Sequence, residues 1–486
     1  MGEKPLYYYE EPDSLLFASE MKSLVRSGLV PLDIDPAAID QYFHFQYVPE
    51  PRTPLSHVRK LEAGHYLKID ISRWRITKTC YWNMEEAAEV QGNPAELIRN
   101  ELESISEIII RSDVPVGLAL SGGLDSSAIA ALAVRKYPGV MNAFCVGYPG
   151  RPANDERADA RVLADYLKIP LHEIELQTGD MIEVFEEMNF MRDDPIADIS
   201  GYGYYAVSRA ARAAGVPVLL QGQGGDELFW GYQWVRDAVE KTGACSPLGS
   251  VPQPEKRSLV SRFRSLFSSK TVAPVVMEPL RYRPRFIDLA DDFVHAITHV
   301  RELYAPSFNA QLNDHSALDV FTYTKPWEYT DIRLTRLICE TYLLQNGIAQ
   351  GDRLSMANSV ELRLPFVDYR LVELVIGLRK THQHDPDYRH FPKPWLKAAL
   401  RCILPDSVMD RPKRGFAPPV QEWHARIFER YGNRLCNGQL VQQGVLSSKA
   451  AEILSKGPFP AGIVSPLSFK ALVLELWFQR MSGLAS

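Results

Sequence analysis

Between residues 114 and 222 the chain alternates two kinds of hydrophobic pattern. Short apolar runs with β-branched residues recur at 114–120 ("VPVGLAL"), 140–147 ("VMNAFCVG"), 169–176 ("IPLHEIEL") and 216–222 ("VPVLLQG"). Runs this short, bounded by polar residues and turn formers, predict buried strands of a parallel sheet. Stretches with apolar residues at helical spacing separate them: 127–135, 155–168 ("DERADARVLADYLK") and 199–214 ("ISGYGYYAVSRAARAA"). Upstream, "PAELIRNELESISEIIIR" at 94–111 puts Leu97, Leu102, Ile105, Ile108 and Ile109 on one helical face. Strand and helix in alternation predict an α/β fold, a doubly wound, mostly parallel sheet with its ligand at the carboxyl ends of the strands. Residues 1–80 read differently. "PLYYY", "SLLFAS" and "HYLKIDI" are short runs between turns, so this part is expected to be β-rich. After residue 315 the pattern is mostly helical. Two units follow from the change of style, 1–85 and 94–486, with an exposed insertion at about 243–275. There Leu259, Phe263, Leu266 and Phe267 beside Arg257, Arg262 and Arg264 fit either a basic amphipathic helix or a surface loop.

A chain of 486 residues is long enough for two or three domains. The net charge of −6, with both signs dispersed, gives no nucleic-acid footprint. Six scattered cysteines without a C-x-x-C pair argue against a disulfide framework or zinc site. No apolar run is long enough to span a bilayer, and the N-terminal residues lack a signal pattern. A soluble cytoplasmic protein is the expectation.

The chemistry begins at 121–127, "SGGLDSS", the turn between the strand at 114–120 and the following helix. Free backbone N–H groups and the positive end of the helix dipole suit an oligophosphate there. The glycines allow close approach, the serines add donors, and Asp125 is a candidate Mg²⁺ ligand. The Walker pattern G-x-x-x-x-G-K is absent. A second strand ends in "QGQGGDELFWGY" at 221–232, and in a doubly wound sheet Asp226 would share a metal with Asp125. The other reading makes Asp226 the N-cap of a helix over 227–232. In "GDRLSMANSVELRLPFVDYRLVELV" (351–375) charges interleave with apolar residues at no clean period. That mixture fits ionic groups in a partly buried cleft or structural ion pairs. "DRPKRGFAPPVQEWH" (410–424) sets Lys413 and Arg414 in a loop able to close over a phosphate. His382, His384 and His390 fit either a metal or an exposed polar loop.

The "SGGLDSS" string resembles the pyrophosphate loop of ATP pyrophosphatases, which split ATP into AMP and pyrophosphate. In order, "SGGLDSS", "GQGGDELFWGY", "DRLSMANSVELRLPFVDYRLVE" and "RPKRGF" resemble the synthetase domain of glutamine-dependent asparagine synthetases. "KPLYYYEEPDSLLFASEMKSLV" and "YVPEPRTPLSHVRKLEAGHYLKID" look like the rear part of that family's class II glutaminase domain. The resemblance implies an ATP-pyrophosphatase-type synthetase over 94–486 and an incomplete glutaminase-like domain over 1–85. It implies ATP and Mg²⁺, with Ser121, Gly122, Gly123, Leu124, Asp125, Ser126 and Ser127 on the pyrophosphate and Asp125 and Asp226 on the metal. Leu120 and Val146 would pack near adenine, and Gly222 would offer backbone to the nucleotide. Lys413 matches the family's lysine for the adenylation step, and Glu361 the glutamate that takes a proton from the attacking nitrogen.

Two departures shape the expectation. Position 2 is Gly2 and the first cysteine is Cys80, so the nucleophile of a class II glutaminase is not at the front. Ammonia, an amine, or a separate glutaminase-supplying polypeptide is then the expected nitrogen source. Gln223 stands where asparagine makers generally carry an acid, Tyr202, Tyr204 and Tyr205 enrich one helix, and Trp230 replaces a smaller residue. These changes fit neutral packing or a carboxylate bulkier than aspartate, such as a sugar acid, a peptide or a β-lactam-type precursor. The main reading is adenylation of a carboxylate followed by amide formation. Intramolecular cyclisation and a non-catalytic ATP-binding assembly subunit are the alternatives.

Overall fold

The computed structural model describes residues 1–244, 291–313, 316–321, 327–382, 392–411, 418–460 and 462–485. Most of the 243–275 insertion, Lys413, Arg414, His384 and His390 lie outside the described residues. The strands, in chain order, are β1 (Tyr7–Glu10), β2 (Leu15–Ala18), β3 (Val58–Lys60), β4 (His65–Asp70), β5 (Arg75–Cys80), β6 (Val116–Ala119), β7 (Ala143–Gly147), β8 (Leu171–Glu175), β9 (Val218–Leu220) and β10 (Glu361–Arg363); β3, β5 and β10 are additional to those the sequence predicts. Neither β3 nor β10 stands out as a hydrophobic run.

Strands β6 to β10 form one parallel sheet in the order β10-β9-β6-β7-β8. Every neighbouring pair is parallel, so the connections must cross over the sheet, and helices do this on both faces. Alternation along the strands shows it. Val218 and Leu220 of β9 point into a core with Leu118 and the helices Pro94–Ile109 and Leu124–Lys136. Leu219 points the other way, to Phe144, Leu362 and the helix Gly201–Ala213. The sheet is doubly wound, and a helical C-terminal part completes the fold.

The first 82 residues are less purely β than expected. The β2-β1-β3 antiparallel sheet and the β4-β5 hairpin are joined by the helices Met21–Arg26 and Pro36–Phe45. The second helix has a local cause that hydrophobic pattern alone conceals. Asp35 accepts from Ala37 N and Ala38 N as N-cap, and Pro36 takes the first helical position. This segment shares its core with the C-terminal helices: Tyr7, Met21, Tyr42 and Phe43 pack in one cluster with Trp423, Phe469 and Trp477. Polar ties reinforce the apolar ones. Tyr42 Oη donates to Lys470 O at 2.8 Å, and Trp477 Nε1 donates to Asp193 O at 2.6 Å.

The interleaved charges of 351–375 resolve into structural pairs. Arg353, buried, reaches Tyr7 Oη and lies 3.3 Å from Asp194, which also pairs with buried Lys60 at 3.0 Å. Asp368 caps the helix Tyr369–Thr381 through Arg370 N. Trp230 does not line the cavity at the strand ends. Its indole N–H donates to Thr335 Oγ1 at 3.0 Å, and the Arg379 guanidinium lies over its ring. The packing explanation is the right one there.

Candidate active site

The strand β6 ends at Ala119, and the chain turns through 121–127 into the helix Leu124–Lys136. Gly122 takes φ +77°, and a Cβ there would sit 2.7 Å from Asp159 Cβ and 2.8 Å from Ala160 N. Only glycine meets both demands, a left-handed backbone and contact with the next helix. Gly123 is the N-cap and supplies no side chain, so the first helical N–H groups stay available. The hydroxyls of Ser121 and Ser126 lie 3.0 Å apart, and Gly123 N donates to Ser121 Oγ at 3.3 Å, so the turn holds its own shape. Ser127 Oγ is buried and has no hydrogen-bond partner among the described residues.

The neighbouring strand β9 delivers the second loop. A Cβ on Gly222 would meet Ser126 N at 2.8 Å, and one on Gly225 would meet Asp125 Cγ at 2.7 Å. The glycines thus let two loops touch at backbone distance. Asp226 lies within the first turn of the short helix Gly225–Leu228, whose N-cap is Gly224. The N-cap reading of Asp226 is therefore corrected: its carboxylate is turned to the site. The two acids converge on one ammonium. Lys393 Nζ sits against both carboxylate oxygens of Asp125 and 2.7 Å from Asp226 Oδ1. Burial pulls the Lys393 pKa down, but the two carboxylates outweigh it and hold it above its ordinary value. Beside them, burial next to Asp226 pushes Glu227 up to about 7.

A cavity of about 790 Å³ opens over these groups. Leu120, Ser121, Gly122, Gly123, Leu124, Asp125, Ser126, Val146, Gly222 and Asp226 all border it, so the structure gathers these sequence-predicted residues in one place. Ser127 stands just behind. Arg411 joins them from "DRPKRGF", donating to Gly122 O at 2.9 Å, and it lies 3.6 Å from Asp159. The far wall is polar and aromatic. There Gln223 Nε2 donates to Tyr204 Oη at 2.7 Å, and Asp198 accepts from Asn346 at 2.8 Å and Gln350 at 2.9 Å.

Glu361 is not brought to this cavity. It is level with Val218 at the amino end of β10, while the loops leave the carboxyl ends of β6 and β9. Its side chain is half exposed and pairs with Arg363 at 2.8 Å. Tyr202 packs against Trp423, and Arg209 lies over Tyr205, so of the three tyrosines Tyr204 reaches the cavity. Lys393 escaped the sequence reading, because a lone lysine between two prolines in "FPKPW" carries no local pattern. Arg411 belongs to the basic cluster at 410–414, and its contact with the loop is a matter of three-dimensional placement.

Two carboxylates with an ammonium between them are hard oxygen donors already arranged around a positive charge. Such a set fits Mg²⁺ that takes its remaining ligands from phosphate and water. Among the described residues no group of three or more His, Cys, Asp or Glu forms a fuller metal cage. No helix among them is long and apolar enough to cross a membrane.

A glycine-serine loop and paired acids at the carboxyl ends of a parallel α/β sheet place this fold in the class of doubly wound α/β proteins whose sheet ends suit a phosphate-bearing ligand. The comparisons are more specific. The family model described as asparagine synthase matches residues 97–478, and that of a glutamine amidotransferase domain matches residues 1–82. The chain belongs to the asparagine synthase family. Glutamine-hydrolyzing asparagine synthetase 1 of Bacillus subtilis (strain 168) is 29% identical over 443 residues, 87% of this chain and 65% of that protein. Glutamine-hydrolyzing asparagine synthetase 2 of the same organism is 27% identical over 478 residues, 93% of this chain and 58% of its own length. Amidase chyE of Penicillium rubens is 25% identical over 484 residues, 91% of this chain and 70% of that protein. The chain thus spans less than two thirds of the length of the two asparagine synthetases.

Proposed function

We propose that the protein forms an amide by ATP-dependent activation of a carboxylate, as asparagine synthesis from aspartate would require. The observation that carries this is the meeting of Asp125 and Asp226 at the mouths of two adjacent strands, beside a glycine-serine loop that opens a helix. The loop at 121–127 binds the departing pyrophosphate, and Leu120 and Val146 flank the base. The acceptor carboxylate oxygen attacks the α-phosphorus, and the bond to the β-phosphate oxygen breaks. Ammonia or an amine then attacks the acyl carbon, and AMP leaves with its phosphate oxygen. Mg²⁺, held by Asp125 and Asp226, would neutralise phosphate charge. Lys413, matched by resemblance to the family's lysine, remains our assignment for charge on the transferring phosphate.

Glu361 is set aside as the base, since it stands at the opposite end of its strand. Glu227, buried by the cavity with a carboxyl poised near 7, is the better-placed group to accept a proton. Cys80 is not placed to serve as a nucleophile for glutamine hydrolysis: it is exposed on a hairpin edge, its thiol donating to Trp82 O at 3.3 Å. Tyr204 and Gln223 on the far wall favour a second possibility for the acceptor, a carboxylate larger than aspartate. Pyrophosphate release from Mg-ATP, with ammonium and either aspartate or larger carboxylates, tests both. Release with none, together with no nucleotide binding, would refute the reading.

A further inference from the structure

Lys393 occupies the place where the metal reading puts a cation. Its ammonium touches Asp125 and Asp226 at once, and its side chain is almost wholly buried. The structure builds this contact deliberately. Lys393 takes φ +53°, a left-handed backbone that costs a non-glycine residue about 1 kcal/mol or more. It does so immediately before the helix Pro394–Leu400, whose first position is proline. Gly231 completes the clasp: any Cβ there would collide with Asp226 Oδ1 and with Lys393 Cε. Gly225 leaves the matching space at Asp125. Two glycines and one strained backbone thus seat an ammonium between two acids.

The charge count gives the consequence. Two carboxylates and one ammonium leave a net charge of about −1 in a buried site, a tolerable state. A divalent ion at the same carboxylates would strand the ammonium in the interior without its partners. A nucleotide supplies what is missing, because its phosphates bring several negative charges to the adjoining loop.

We propose that Lys393 is an internal cation that guards the Asp125–Asp226 pair and yields it to a divalent metal only when a nucleoside triphosphate receives the ammonium. This rests on the nucleotide-site reading above, and it adds an order: metal and nucleotide enter together, and Lys393 moves from carboxylate to phosphate. No covalent step is involved. One cation replaces another on the acids, and the displaced ammonium keeps its proton.

Mn²⁺ is the probe, a hard divalent ion with the same preference for oxygen. Its binding is read by electron paramagnetic resonance of the free ion, with and without α,β-methylene-ATP, an analogue that cannot release pyrophosphate. The wild-type chain is expected to leave Mn²⁺ free without nucleotide and to take up one ion with it. Lys393→Met is expected to bind Mn²⁺ without nucleotide at least about tenfold more tightly than wild type, since the competing occupant is gone. Its melting curve establishes that it is folded, and if it is not, the wild-type titrations decide alone. Uptake of Mn²⁺ at these acids by the wild type without nucleotide, abolished in Asp125→Asn, would overturn the exchange while leaving the nucleotide site standing. Failure to bind the analogue at all would overturn both.

Discussion

Gly222→Ala replaces one hydrogen by a methyl group at a close backbone contact between the two site loops. The new Cβ would stand 2.8 Å from Ser126 N and 2.9 Å from Asp125 C and Cβ. Comfortable separations are about 3.5–4.0 Å, so roughly 0.7–1 Å must be recovered by moving backbone. Backbone cannot swing aside as a long side chain does, and such overpacking costs about 1–3 kcal/mol. The atoms pushed are those of the phosphate loop, so the penalty falls on nucleotide binding. It should weaken Mg-ATP affinity by about 5- to 150-fold, at about 1.4 kcal/mol per decade. Isothermal titration of the nucleotide and a thermal melt read the two sides of the argument. Gly179→Ala is the control. It lies in the helix Thr178–Met191 with no heavy atom within 4 Å of its Cβ, and there the same change should stabilise by about 0.4–1 kcal/mol. If Gly222→Ala bound Mg-ATP within about twofold of the parent, the reasoning from loop contact would be refuted.

Arg411→Ala removes the guanidinium that holds Gly122 O, so the loop should loosen and ATP affinity fall by about tenfold, with little change in melting temperature. A larger stability loss than affinity loss, measured by the same two methods, would place Arg411 in the fold rather than the site. Arg353→Met leaves the buried Asp193 and Asp194 short of a cation, at a cost of about 3–5 kcal/mol. Limited proteolysis should then cut within residues 1–82 first, and an unchanged digestion rate would contradict the docking role of this cluster. Burial pushes Glu50 up to about 7 from 4.5. The folded state therefore prefers the proton: this contribution is full below about pH 4.5 and is lost as pH rises through 7, at about 1.4 kcal/mol per unit. Glu50→Gln should flatten denaturant-derived stability between pH 5 and 7, and an unaltered slope would show that Glu50 is not the group responsible.

What could be read from the sequence follows the range of the forces involved. The strands β6 to β9 and the helix Pro94–Ile109 advertise themselves because burial on a sheet or one helical face imposes a period on neighbouring residues. The loop at 121–127 is equally legible, since its glycines, serines and acid work within seven positions. β10 is not, because three residues ending in charges, Glu361 and Arg363, have no apolar run to show. Nor is the helix Pro36–Phe45, where the informative letters are the Asp35-Pro36 cap rather than the aromatic residues that follow. Lys393 lies 268 residues from Asp125. Its meaning comes entirely from a partner that the local sequence does not mention.

The core shared by the first and last segments has a consequence for how the chain is made. Lys470 Nζ donates to Phe43 O at 3.0 Å, and the closing helix Leu467–Ala485 packs on the helices Met21–Arg26 and Pro36–Phe45. On the ribosome the opening strands emerge long before the tryptophan and phenylalanines they must bury against. They wait, apolar and half covered, until the last twenty or so residues arrive, which makes their assembly a late, long-range event. A stop codon or frameshift near residue 467 would thus leave the β2-β1-β3 sheet and the helix Pro36–Phe45 without the apolar partners they are built to cover.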